Sequence, residues 1–195
     1  MLFALLIREM STRVGGQWVG AVWTLFEPLA HLLILIAVLG AMQGGNPLPG
    51  LDFPVYLATG LVTYFLFQNL ATRLMDGIDA NRGLFAYRQV KPLDPLLARS
   101  GVEVLMNLTV FGFTLGLLGW LGHTVLPARP LEAMVAIGMV ALLGTGYGLV
   151  AAVISHDRPR LRSLLRMVML PLYFISGVIF PVDLLPRDTL EWLLW

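Results

Sequence analysis

From Ala133 to Ile154 the chain carries no charged residue. A helix needs about 20 apolar residues to cross the hydrocarbon layer of a bilayer. Lipid offers no water to an unpaired backbone amide, so a helix is the form such a run takes there. Leu131 to Ile154 is therefore one candidate span. Four other stretches share its character: roughly Ala21 to Met42, Val55 to Ala71, Val102 to Leu121 and Leu164 to Phe180. Of the 195 residues 57% are hydrophobic and only 13% charged, against about 25% charged in a soluble domain. That is too few charges to wet a water-facing surface. The pattern predicts an all-α polytopic membrane helix bundle, a single domain over residues 1–195 with five visible spans.

Basic residues divide unevenly among the loops. Eleven of the 13 lysines and arginines fall in three places: Arg8 and Arg13 near the start, Arg73 to Arg99 after the second span, and Arg158 to Arg166 after the fourth. The other two are Arg129 and Arg187. The positive-inside rule puts the basic set, and with it the N-terminus, in the cytoplasm. The opposite loops, QGGNPLPGLDF and GHTVLPARP, have the glycines and prolines of tight turns.

Both ends have their own character. The opening MLFALLIREMSTR is not a secretory signal, because its apolar run is short and no small-residue cleavage site follows. Leu2, Leu5, Leu6 and Met10 recur at helical spacing, with Arg8, Ser11 and Thr12 elsewhere on the wheel, so residues 1–20 read as an interfacial helix. Trp18 and Trp23 read as interface anchors. After Phe180 the sequence PVDLLPRDTLEWLLW is broken by Pro181 and Pro186 and carries four charges, so residues 181–195 read as an outer-side re-entrant segment with Trp192 and Trp195 at headgroup level.

Motifs with chemistry are few. GTGYG at 144–148 resembles a potassium-filter signature, but it lies inside a spanning run, and Gly144 with Gly148 is the GxxxG spacing of close helix packing. Gly112 and Gly116 form a second such pair. Glu27 with His31, and Arg99 with Glu103, read as local i, i+4 pairs near the basic end. Asp76 and Asp79 in MDGID read as solvated charges. There is no HExxH, no Walker lysine loop and no Cys/His cluster, and the absence of cysteine excludes disulfides and thiolate metal sites. Tyr56, Gly60, Tyr64 and Phe67 share one face of the second span, and Tyr173 and Phe174 lie in the fifth. Aromatic faces suit the CH patches of sugar rings, which makes Tyr56, Tyr64, Phe67, Tyr173 and Phe174 a candidate glycan path. A packed or lipid-facing stripe is the plainer reading of the same residues.

Four segments, WTLFEPL at 23–29, FPVYLATG at 53–60, ANRGLFAYRQVKPLD at 80–94 and PLYFISGVIFPVDLLP at 171–186, resemble the permease subunit of ABC-2-type exporters of capsular polysaccharide and O-antigen chains. The resemblance implies a six-span half-transporter, although a sixth span is not visible before Trp195. It implies a second copy of the permease, a polysaccharide cargo, export proteins in the periplasm and outer membrane, and placement in the bacterial inner membrane. It also implies a separate nucleotide-binding ATPase subunit holding ATP and magnesium, with no cofactor, metal or catalytic residue in this chain and no nucleic acid partner. By the same resemblance residues 73–99 are the cytoplasmic coupling loop. Arg82, Leu84, Phe85, Tyr87 and Arg88 are then its docking residues, apolar anchors ringed by arginines. A basic segment that binds anionic lipid is the competing reading of that loop. An ABC-2 exporter of drugs or lipids, an integral-membrane enzyme on lipid-linked sugars, and a scaffold without transport remain open alternatives at this point.

Overall fold

The computed structural model describes residues 2–14, 18–43, 52–86 and 90–178. Within these the chain is helical: α1 (Leu2–Val14), α2 (Trp18–Gln43), α3 (Phe53–Met75), α4 (Gly77–Ala80), a 3-10 turn (Arg82–Ala86), α5 (Leu93–Trp120), α6 (Pro130–Asp157), α7 (Pro159–Met167) and α8 (Met169–Ile175). Three expectations fall outside the described residues: the 181–195 segment with Trp192 and Trp195, most of the QGGNPLPGLDF loop, and the side chains of Tyr87 and Arg88.

The bundle is built around α3. Leu57, Leu61, Leu70 and Leu74 on this helix are fully enclosed. The helix packs against α6, α5 and α2. Its closest neighbour is α6, and the reason is glycine. A methyl group placed on Gly148 would lie 2.8 Å from the Leu70 carbonyl oxygen, and one on Gly144 would lie 3.1 Å from that of Phe67. GTGYG is thus helix packing, as its spacing indicates. Gly112 and Gly116 differ: neither has a neighbour within 4 Å of such a methyl, so this GxxxG pair packs nothing among the described residues.

Proline and glycine set the ends of the elements. Pro159 pushes Arg158 to φ −136°, ψ 83°, out of the helical region, and so separates α6 from α7. Gly122, at φ +93°, ends α5: its amide bonds the Gly119 carbonyl and that of His123 bonds Leu118, the paired closure of a Schellman motif. At that same end Asp52 holds His123 Nδ1 at 2.9 Å, tying the α5–α6 loop to the start of α3.

The outer surface differs from that of a soluble bundle, and a few polar groups lie inside the apolar core. Leu105, Leu108 and Phe113 on α5, and Met134, Met139, Leu142 and Val150 on α6, are exposed, while Glu103, Asn107, Thr114 and Ser155 are buried. Both α5 and α6 are long and apolar enough to cross a membrane, and α2 contributes a shorter apolar section, Phe26–Ala41. The stretch Leu164 to Phe180, expected as one continuous span, is divided. α7 ends at Met167, α8 holds only seven residues, and a turn follows at Ser176. Pro171 has no amide to donate to the Met167 carbonyl, and its ring crowds that carbonyl, so the hydrogen-bond ladder is interrupted between the two helices, while Val168 itself keeps helical φ −64° and ψ −24°. The N-terminal helix is found but stops at Val14, and Trp18 already belongs to α2.

Candidate functional site

Two cavities flank α8. The larger, about 470 Å³, lies between α3, α6 and the 172–178 segment. Its α3 wall is a single helical stripe of Tyr56, Thr59, Gly60, Thr63, Tyr64 and Phe67. Three of the five residues expected on a glycan path therefore come together here. Thr59 and Thr63 were not singled out from the sequence, although the same helical wheel places them. Val140 and Leu143 of α6 close the opposite wall. The second cavity, about 330 Å³, lies between α2, α3 and α8 and is more polar, with Glu27, His31, Gln68 and Arg166 on its surface. Tyr173, expected in the first group, belongs to this second cavity. Phe174 lines neither: it is exposed, and its ring meets that of Tyr173 edge-to-face, with centroids 5.7 Å apart.

Tyrosine hydroxyls hold the α7–α8 segment in place. Tyr56 Oη donates to the Gly177 carbonyl at 2.5 Å, Tyr64 Oη to the Met169 carbonyl, and Tyr147 Oη to the Leu165 carbonyl at 3.2 Å. A buried hydroxyl needs such a partner, and each bond contributes about 1 kcal/mol net. His31 Nε2 lies 3.2 Å from Tyr173 Oη, and its ring meets Phe65 edge-on. His31 is therefore joined to another helix rather than to a local pair with Glu27.

The basic end of the bundle is held by ion pairs between helices. Arg99 was expected to pair with Glu103, one turn along α5. Instead Arg99 Nε bonds Glu9 of α1 at 2.6 Å, and its guanidinium also reaches the Arg73 carbonyl. Glu103, 2% exposed, takes Arg73 of α3 at 3.1 Å. A carboxylate so enclosed stays charged only beside a cation, so the interhelical pair is what the fold requires. Asp76 and Asp79, expected as solvated charges, anchor a second network. Asp79 accepts from Arg162 of α7, from His156 of α6 at 3.3 Å, and from Arg82 at 3.0 Å. Asp76 accepts from Arg166 at 2.5 Å. The hydrogen bond from Arg162, then that from His156, hold the Asp79 carboxyl down at about 2, below its ordinary 3.8.

Of the residues expected to dock a partner, Arg82 is exposed and already paired with Asp79, while Leu84 and Phe85 are half-buried in the 3-10 turn. Asn81 is buried: its amide donates to the Gly77 carbonyl at 2.8 Å, and its carbonyl accepts from Arg8 of α1 at 3.4 Å. Asn81 and Asp79, just before the turn, thus tie this stretch to α1 and α7, a platform that single-segment reading of 80–94 does not reveal. Among the described residues no cluster of His, Cys, Asp and Glu is arranged to hold a metal ion.

Known proteins match this chain along almost its whole length. The chain is 36% identical over 193 residues to the polysialic acid transport protein KpsM of Escherichia coli, covering 98% of this chain and 74% of that protein. It is 30% identical to the capsule polysaccharide export inner-membrane protein CtrC of Neisseria meningitidis, with 98% and 72% covered. It is 27% identical to the capsule polysaccharide export inner-membrane protein BexB of Haemophilus influenzae, again with 98% and 72% covered. The family model described as ABC-2 type transporter matches residues 1–195, and the chain belongs to that family of membrane proteins.

Proposed function

We propose that the chain is the permease of an ATP-driven exporter that carries polysaccharide, of capsule or O-antigen type, across the bacterial inner membrane. The cavity between α3, α6 and α8 carries the reading: one wall offers the aromatic faces of Tyr56, Tyr64 and Phe67 with the hydroxyls of Thr59 and Thr63 between them. Flat apolar faces and hydroxyls at short spacing suit a sugar chain, which has CH patches and hydroxyls of its own. The names of the relatives support the same cargo. No group in this chain breaks a bond. Hydrolysis belongs to a separate ATPase subunit with ATP and magnesium, and two copies of the permease complete the path. A closure of the ATPase then biases the permease between inward- and outward-open states.

The test is export itself. Tyr56→Ala with Phe67→Ala lowers surface polysaccharide at least severalfold while ATPase association is retained, and Phe67→Tyr, which keeps a ring, is milder. Equal surface polysaccharide in the wild type and the double alanine variant returns these residues to packing. Sidedness follows from the basic asymmetry: α2, α3, α5 and α6 cross, and the N-terminus with residues 73–99 faces the cytoplasm. A thiol placed at Arg82, whose side chain is 68% exposed, is labelled from the cytoplasmic face. One at Leu126, 91% exposed, is labelled from the periplasmic face. The opposite pattern inverts the topology.

A further inference from the structure

α8 is a seven-residue rod with a joint at each end. At its start Pro171 leaves the Met167 carbonyl without its helical donor, so the hydrogen-bond ladder is interrupted there while Val168 keeps helical angles, φ −64° and ψ −24°. At its end Gly177 takes φ +76°, a conformation that glycine adopts without strain. Short rods between such joints are the parts of a protein that swing. Packing on α8 is light, since Leu170, Leu172, Phe174 and Ile175 are exposed. Tyr64, by contrast, is buried on α3, the helix around which the bundle is built.

Tyr64 is also the wall that the two cavities share, lining both. Tyr173, carried on α8, presses its ring against it with centroids 4.9 Å apart. We propose that the Tyr64–Tyr173 contact is a closed gate between the two cavities, with Tyr64 the fixed post, Tyr173 the leaf carried by α8, and the His31–Tyr173 hydrogen bond its latch. The bond from Tyr64 to the Met169 carbonyl lies at the pivot and persists as the rod turns. The bonds that must break are those of the far part: His31 to Tyr173, and Tyr56 to the Gly177 carbonyl. Opening joins the polar cavity of Glu27, His31 and Gln68 to the aromatic one. The gate rests on the chain being a transporter and not on the identity of its cargo.

The test uses thiol access, which needs no cargo, so its failure is separate from any failure of the polysaccharide reading. The chain has no cysteine, so Gln68→Cys, on the polar cavity, is a lone reporter. In sealed right-side-out and inverted vesicles of native membrane, a membrane-impermeant maleimide labels position 68 from one face only while Tyr173 is present. Tyr173→Ala admits the reagent from the other face at least tenfold faster. Tyr173→Phe keeps the ring but removes the latch, and gives a severalfold gain in a chain that still packs. Labelling from both faces with Tyr173 intact, or no gain with either variant, overturns the gate.

A second arm asks whether α8 is the moving part. A Cβ on Gly60 would lie 3.5 Å from Val178 Cα and 3.6 and 3.7 Å from its two methyls, within the reach of a disulfide. In the Gln68→Cys, Tyr173→Phe chain, oxidation of an added Gly60→Cys, Val178→Cys pair pins the end of the rod to α3. The gain at position 68, read by mass spectrometry of its peptide, then disappears and returns on reduction. A pinned chain that labels as freely as the unpinned one overturns the proposal.

Discussion

At Gly148 a single hydrogen decides how closely two helices approach. A methyl there would meet the Leu70 carbonyl oxygen and the Leu74 Cβ, each at 2.8 Å. Neither atom is the loose end of a side chain, so α6 must move off α3. Gly148→Ala is therefore expected to destabilise the bundle by about 1–3 kcal/mol, the range for overpacking a tight contact. Gly112→Ala and Gly116→Ala meet open space and are expected to stay within about 0.5 kcal/mol. Thermal unfolding in detergent compares the three directly; equal losses at all of them would mean that the α3–α6 approach is not set by Gly148. Both pairs have the same four-residue spacing, so the sequence names two candidate seams and cannot rank them. The ranking comes from which face of each helix meets α3, a fact of packing. The charged residues show the same limit. Arg99 and Glu103 are one turn apart, and local spacing pairs them. The fold instead gives Arg99 to Glu9 and Glu103 to Arg73, because α1 and α3 bring partners that no window of sequence contains.

Among the elements, α7 is fastened by charge. Its basic side chains Arg162 and Arg166 reach Asp79 and Asp76, and His156 and Arg82 face Asp79 from α6 and the 3-10 turn. The folded carboxyl of Asp79 ionises at about 2, below the ordinary 3.8. A depressed carboxyl stabilises the fold when ionised, so its contribution is complete above pH 3.8 and is lost as the pH falls through about 2. Spin labels at Ala80 and Arg160, both exposed, can follow the α4–α7 distance in this cysteine-free chain. The distance distribution is expected to stay narrow down to pH 3.8 and to broaden toward pH 2. Asp79→Asn should broaden it at neutral pH, since it leaves Arg162, His156 and Arg82 facing one another without the carboxylate. A distribution in Asp79→Asn as narrow as in the wild type would mean that Asp79 does not fasten α7, and one as narrow in the Asp76→Asn, Asp79→Asn double variant that packing alone holds it. Most of the helices themselves are legible as apolar runs, because a membrane-facing helix must be apolar along its length. The division of α7 from α8 is legible too, in Pro171, but a hydropathy run passes over it. The α7–α4 network is not legible, because Asp79 and Arg162 are far apart in sequence and join only when α3 and α6 have packed.

In the whole molecule, the apolar outer faces of α5 and α6 and the charge-rich basic end are two surfaces with different demands, one for lipid and one for water. The 3-10 turn Arg82–Ala86 lies on the second. It is held by Asn81 against α1 and by Asp79 against α7, so a force on the turn passes to both helices. α7 leads through Val168 into α8, which carries Tyr173. An ATPase docked on the turn would therefore act on the cavities through a connected chain of contacts. The docking surface itself tests this arrangement. Leu84 and Phe85 are half-buried and would be the apolar anchors of such a contact, and truncating a central aromatic at an interface often costs over about 1 kcal/mol. Phe85→Ala is expected to weaken association with the ATPase about tenfold, since about 1.4 kcal/mol is a factor of ten. Arg82 is partly committed to Asp79; Arg82→Ala should act less, and its effect should shrink as salt screens the charge. A loop that binds anionic lipid instead would invert this order, with the arginine dominant and the aromatic secondary. Pull-down of the ATPase at low and high salt separates the two. Unchanged association in the Leu84→Ala, Phe85→Ala double variant would move the contact away from this turn, and α7, with Arg158 and Arg160 exposed beside the same platform, would become the surface to test.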